Sequence, residues 1–271
     1  MLRHGRRLQR AAVGDLADRQ LHPTGELLHH LLTGFAGQGL EEVGAVIAAT
    51  GDYGTPFIPD VPGRADFCGR ILHAAGYRSP VAFAGQRVVV VGGGNSAIQI
   101  AAELGPLADT TLATRRPVGW TPRRPLGRDL HWWLGHTRLD VAPIRRLLEK
   151  VPVSVLDDGH YRTALDQHSV DRRDMFSRFT ADGVVWADGT KEGVDAVLLA
   201  TGYRLAFPYL TGSGALDTNG APLHQGGLST AVPGLSFVGM EFQRSFSSKT
   251  LRGVGRDAAH VLKRMRTAVT G

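Results

Sequence analysis

Arg87-Val-Val-Val-Val91-Gly92-Gly-Gly94-Asn95-Ser96-Ala97, running on through Ile98 to Leu104, is the stretch on which the fold turns. Four consecutive valines read as a strand buried on both faces, because β-branched side chains fill a pleated, two-sided core. The glycines that follow mark a tight turn. Asn95 to Leu104 then reads as a helix, which Gly105-Pro106 stops. Asp109-Thr-Thr-Leu-Ala-Thr114 is a second strand, ended by Arg115-Arg116-Pro117. Strand, glycine turn, helix and strand make one βαβ unit, so the class is α/β with a Rossmann-like domain.

The loop inside that unit has the form Gly92-x-Gly94-x-x-Ala97. Glycine at the first site allows the turn, and at the second it lets the backbone approach a diphosphate. A small third residue lets helix and strand pack closely. A diphosphate would sit at the helix start beside Asn95 and Ser96, where unpaired N–H groups and the helix dipole favour negative charge. The alternative, a glycine-rich loop that binds nothing, accounts less well for the second strand arriving on schedule. The end of that strand selects the dinucleotide. A carboxylate there suits a ribose 2′-hydroxyl, whereas Arg115 and Arg116 suit a 2′-phosphate. NADP(H) is the expected cofactor, against the alternative of an ordinary surface arginine pair.

Working outward, Ala45-Val-Ile-Ala-Ala-Thr50-Gly51 and Asp195-Ala-Val-Leu-Leu-Ala-Thr201-Gly202 are two aliphatic strands, each closed by Ala-Thr-Gly. Pro56, Pro59 and Pro62 make the segment after the first an extended connector, in which Asp52 and Asp60 are expected as turn residues. A helix is expected within Leu21–Leu40, another at Ile144–Lys150, and a hairpin across Asp188-Gly189. Leu130-His-Trp-Trp-Leu134 predicts an amphipathic helix that buries both indoles. The C-terminal part pairs a strand at Leu235–Gly239 with a helix from about Gly255 to Arg266.

Composition narrows the function. Net charge is +6, and all but four of the 31 basic residues are arginine. They form no stripe and do not interleave with aromatics, which argues against a nucleic-acid partner and for a bacterial protein with a solvated basic surface. Cys68 is the only cysteine, so a CxxC redox pair, an internal disulfide and a cysteine-rich zinc site are excluded. No His or carboxylate spacing suggests a metal. No apolar run reaches membrane-spanning length and no signal peptide opens the chain, so a cytoplasmic protein is expected.

Upstream of the glycine loop lies Phe67-x-Gly69-x-x-x-His73-x-x-x-Tyr77. With this pattern and its flanking Ala-Thr-Gly strands, the chain resembles the class B flavin-dependent monooxygenases: flavin-containing monooxygenases and, with a different last residue, Baeyer–Villiger enzymes. The resemblance implies an NADPH domain at 79–205 inserted into an FAD domain, of which 45–78 and 206–271 are parts. Residues 1–44 are then an atypical N-terminal arm. Thr50, Gly51, Thr201 and Gly202 become the linkers beside the cofactors, and His73 and Tyr77 the catalytic pair where nicotinamide meets flavin. The implied reaction oxygenates a soft nucleophile or ketone through a flavin C4a-(hydro)peroxide.

One expected part is missing. The family opens on a strand and a GxGxxG loop that cradle FAD, and Gly34-x-x-Gly37-x-Gly39 has the wrong spacing to be it. The expectation is a chain shortened at its N-terminus and lacking an internal block. It would act on a small-molecule substrate, with a homo-oligomer or a complementing chain restoring the flavin site. The alternative is an NADP(H)-binding protein without catalysis. A flavin-free reductase would need a Tyr-x-x-x-Lys pair, which is absent.

Overall fold

The computed structural model describes residues 44–137 and 154–270. The helices expected within Leu21–Leu40 and at Ile144–Lys150, and the spacing Gly34 to Gly39, lie outside these residues.

Following the chain, β1 (Val46–Ala48) is the short aliphatic strand before Thr50-Gly51. After Asp52 the chain enters a second packing unit that runs from Tyr53 to Arg204. This unit begins with β2 (Thr55–Pro56) and the fingerprint strand β3 (Arg70–His73). Next come β4 (Arg87–Val91), α1 (Asn95–Leu104) and β5 (Asp109–Thr114), the βαβ unit expected from the glycine loop. The strands β6 (Gly119–Thr121) and β7 (Ser154–Leu156) pair in parallel, and α2 (Leu130–Thr137) lies between them in sequence. Then follow α3 (His160–Gln167) and β8 (Asp171–Asp174). An antiparallel meander of β9 (Arg178–Phe179), β10 (Gly183–Val185) and β11 (Lys191–Gly193) includes the hairpin across Asp188-Gly189. The unit closes with β12 (Ala196–Leu199) and β13 (Tyr203–Arg204).

The main sheet runs β3-β12-β4-β5-β8 with every pairing parallel. Both faces are covered, which is why β4 reads as unbroken valine. Val88, Val90, Leu112 and Leu198 pack with Ile98 and Leu104 of α1 and Leu165 of α3. Val89, Val91, Ala113 and Leu199 pack on the other face with Phe67, Phe179 and Trp186. The register lines up the carboxyl ends: His73, Leu199, Val91 and Ala113 lie in one row across four strands. The Gly92 loop, the Ala200-Thr201-Gly202 turn and Thr114-Arg115 therefore leave the same edge of the sheet. In open parallel sheets that edge is where ligands bind.

At Leu205 the chain returns to the first unit. There β1 pairs in parallel with β16 (Leu235–Phe237), and β15 (Leu228–Ser229) and β14 (His224–Gln225) add antiparallel. Ala48, Phe207, Leu210, Leu235 and Phe237 form its core. Val261 and Met265 of α4 (Val254–Thr270) form a smaller cluster with Val238.

Packing divides the chain at 52/53 and 204/205, because β3 hydrogen-bonds along β12 and so belongs to the large parallel sheet. One expectation changes: the tryptophans of α2 are not a buried pair, since no residue of that helix is buried. Arg128 lies over the Trp132 ring at 4.4 Å and His136 stacks on it at 3.9 Å, while the Trp133 Nε1–H donates to Pro125 O at 2.9 Å.

Candidate dinucleotide site and the fingerprint strand

Gly92 turns the chain from β4 into α1 with a φ of +141°, a conformation that L side chains rarely adopt. A Cβ there would strike the Ala200 carbonyl oxygen and come within 3.2 Å of the Ala97 Cβ. The same loop is held from both sides: Gly92 N–H donates to Ala113 O at 3.0 Å, and Ala200 N–H donates to Val91 O at 2.8 Å. Gly94 is the N-cap of α1 and supplies no side-chain acceptor, so the N–H groups of the first turn are left for a ligand. Ser96 is exposed at that turn, and Ala97 is fully buried against the sheet. Asn95 has a structural duty, its Oδ1 accepting the Leu156 N–H at 3.2 Å.

Arg115 and Arg116 are exposed immediately beyond β5. Beside them a cavity of about 430 Å³ opens between the end of β5, the 117–120 segment, Leu165 of α3 and the end of β8. These features fit a dinucleotide phosphate: a turn that only glycine can make, a helix start with free donors, a guanidinium pair and an apolar slot. The sequence did not reveal β8 as part of this site. Asp171-Arg-Arg-Asp174 carries no apolar pattern, because it is the charged edge of the sheet.

The fingerprint residues come together as a structural unit. A Cβ on Gly69 would lie 2.7 Å from Asp195 O and would strike the ring of Phe67, which is buried against Phe179 at 5.3 Å between centroids. Glycine is thus required where β3 begins to pair with β12. His73 Nδ1 accepts the Ala75 N–H at 3.1 Å, which places the ring proton on Nε2. Nε2–H then donates to Gly202 O at 3.0 Å, and the ring meets Tyr203 edge-on at 5.1 Å. Both ring nitrogens are committed to backbone. Tyr77 donates to Glu103 Oε2 of α1 at 3.0 Å and stacks near Phe83. Burial, reinforced by the Glu103 carboxylate, pushes its phenol well above the usual range. Tyr77 stays protonated, and its proton is held by Glu103, a partner with no sequence signal. Cys68, inside the fingerprint, is exposed.

The linker threonines are also anchored. Thr201 Oγ1 donates to Phe57 O, while Thr50 Oγ1 hydrogen-bonds the Tyr209 hydroxyl at 3.0 Å. Gly202 O accepts from Phe57 N–H at 2.9 Å as well as from His73. Gly51 leads into Asp52, expected as a turn residue but placed within an ionic cluster. Lys249 and Glu241 both act on its carboxylate, and Lys249 bridges to Glu241 at 2.6 Å. Asp52 Oδ1 is buried without a hydrogen-bond partner among the described residues. Burial raises its carboxyl above the ordinary value, Lys249 opposes the shift and Glu241 adds to it.

Residues 37–132 match a family model described as flavin-binding monooxygenase-like. The uncharacterized oxidoreductase CzcO of Bacillus subtilis (strain 168) is 30% identical over 231 residues, covering 81% of this chain and 64% of that protein. Dimethylaniline monooxygenase (N-oxide-forming) 2 of Rattus norvegicus is 30% identical over 203 residues, covering 62% of this chain and 37% of its own length. Among solved structures, the flavin-containing monooxygenase from Stenotrophomonas maltophilia superposes with a TM-score of 0.66 at 31% identity. That match covers 84% of this chain and 63% of the Stenotrophomonas protein. The chain is thus related to the flavin monooxygenases in sequence and in fold. It spans 64% of the length of the Bacillus relative. Among the described residues no helix is long and apolar enough to cross a membrane.

Proposed function

We propose that this chain binds NADP(H) at the carboxyl edge of its five-stranded sheet and serves an oxidation of the flavin-monooxygenase type. The Gly92 turn carries the reading, since its φ and the Ala200 carbonyl beneath it admit only glycine at the tight strand-to-helix turn that a dinucleotide loop needs. The α1 start would hold the diphosphate, Ser96 would add a hydroxyl donor, and Arg115 with Arg116 would clamp the 2′-phosphate. Bound NADPH supplies a hydride. His73 and Tyr77 act as positioning residues in this reading, holding the Gly202 turn and α1 against β3.

Flavin enters through the relatives. Among the described residues only 87–104 joins a strand directly to a helix through a Gly-x-Gly-x-x-Ala loop, and it is assigned to NADP(H). The strand β7 and helix α3 also meet at a glycine, Gly159, but there Asp157 already takes the Tyr161 and Arg162 N–H groups. The diphosphate of FAD finds no second loop of this kind among the described residues. The substrate proposed from the relatives' chemistry is a small soft nucleophile, such as the amine named for the rat enzyme, or a ketone. The same single cradle favours a second reading, an NADP(H)-binding protein without catalysis.

Titration of the purified protein with FAD and with NADPH, followed by absorbance and fluorescence, separates the two. Flavin uptake and bleaching by NADPH support the oxygenase reading, whereas NADPH binding without flavin uptake supports the second. Arg115→Ala is expected to weaken NADPH by about 10- to 100-fold and NADH far less. Equal losses for the two coenzymes would remove the 2′-phosphate assignment.

A further inference from the structure

We infer that Asp174 selects the base of the bound dinucleotide by accepting a hydrogen bond from the exocyclic amine of adenine. The inference rests on the NADP(H) reading above and deepens it.

The β5–β8 register pairs Leu112 with Arg172 and Thr114 with Asp174. Side chains alternate along a strand, so these four residues share one face of the sheet, the face that carries Leu165. That face holds the cavity of about 430 Å³, a volume in the range of small-ligand sites. Its walls include Leu112, Pro117, Val118, Trp120 and Leu165, which suit the flat apolar faces of a purine. Its polar end comes from β8, where both arginines are already engaged. Arg172 is bound to Asp166 at 2.5 Å. Arg173 reaches Glu192 at 3.3 Å and Asp171 at 3.5 Å, and lies over the Trp186 ring. Asp174 has no hydrogen-bond or ion-pair partner among the described residues, and it lines the cavity from the last position of the strand. An ionised carboxylate only accepts hydrogen bonds. It matches the amine of adenine and repels the carbonyl that hypoxanthine carries at the same ring position. Arg115 and Arg116 follow Thr114 on the neighbouring strand, so the phosphate clamp and the base reader rise from adjacent strand ends.

The test is fluorescence titration of the full chain with NADPH and with its hypoxanthine analogue, for wild type, Asp174→Asn and Asp174→Ala. Wild type is expected to prefer NADPH by about 10- to 100-fold. Asp174→Asn should bind the analogue more tightly than wild type does, because an amide donates to the carbonyl, and Asp174→Ala should erase the preference. A gain in affinity for the analogue cannot come from misfolding. Equal affinities in wild type, or parallel losses for both ligands in Asp174→Asn, would overturn the assignment while leaving NADP(H) binding in place. Failure of wild type to bind either ligand would overturn the NADP(H) reading and this inference with it.

Discussion

A methyl group at position 92 meets a carbonyl oxygen on one side and a disallowed backbone angle on the other. Gly92→Ala is therefore expected to destabilise the protein by about 1–3 kcal/mol from backbone strain alone. It should also abolish NADPH binding, as checked by thermal melts and by fluorescence titration. A different residue-scale effect belongs to Asp52, whose carboxyl is raised chiefly by burial. A raised carboxyl means the folded state resists ionisation. Its favourable contribution is complete below the unfolded carboxyl value and is lost as pH rises through the folded one. Asp52→Asn should accordingly raise Tm at pH 8 and leave it unchanged at about pH 3, where wild type is protonated as well. A Tm gain of equal size at both pH values would show that charge at this position is irrelevant.

At the scale of elements, the fingerprint is a joint between β3, β12 and α1. His73→Ala removes an acceptor for Ala75 N–H and a donor to Gly202 O. The expected cost is about 1–3 kcal/mol, with faster amide exchange in residues 202–204 measured by mass spectrometry. Unchanged exchange there would detach the histidine from the linker. Gly69→Ala should destabilise more than a surface substitution does, because the Asp195 carbonyl at 2.7 Å belongs to backbone and cannot swing aside. The βαβ unit was legible in the sequence because valine run, glycines and helix pattern are local signals. The fingerprint was legible as a pattern but not as a mechanism. That His73 ends on Gly202 and Tyr77 on Glu103 depends on which strands pair, and spacing along the chain does not encode it. The same holds for β8: its charges hid a strand, and its register with β5 is what puts Asp174 at a cavity. Asp52 misled for a related reason, since Glu241 and Lys249 are nearly two hundred residues away in sequence.

For the molecule as a whole, each packing unit has its own core. The unit of residues 53–204 has two apolar clusters, one on each face of its sheet. A fragment of those residues is expected to fold and to bind NADPH with the affinity of the full chain, measured by circular dichroism and titration. A fragment that remains unfolded would show that this unit depends on the rest of the chain. The ends of the unit carry one more consequence. Thr55 pairs with Arg204 and Pro56 with Tyr203, so the chain enters and leaves this unit through neighbouring strands. A module whose two ends lie side by side can be cut out, exchanged or acquired through a single pair of crossovers in the gene. Junctions at 52/53 and 204/205 are therefore natural seams for grafting the corresponding segment of another oxidoreductase, and with it another coenzyme preference.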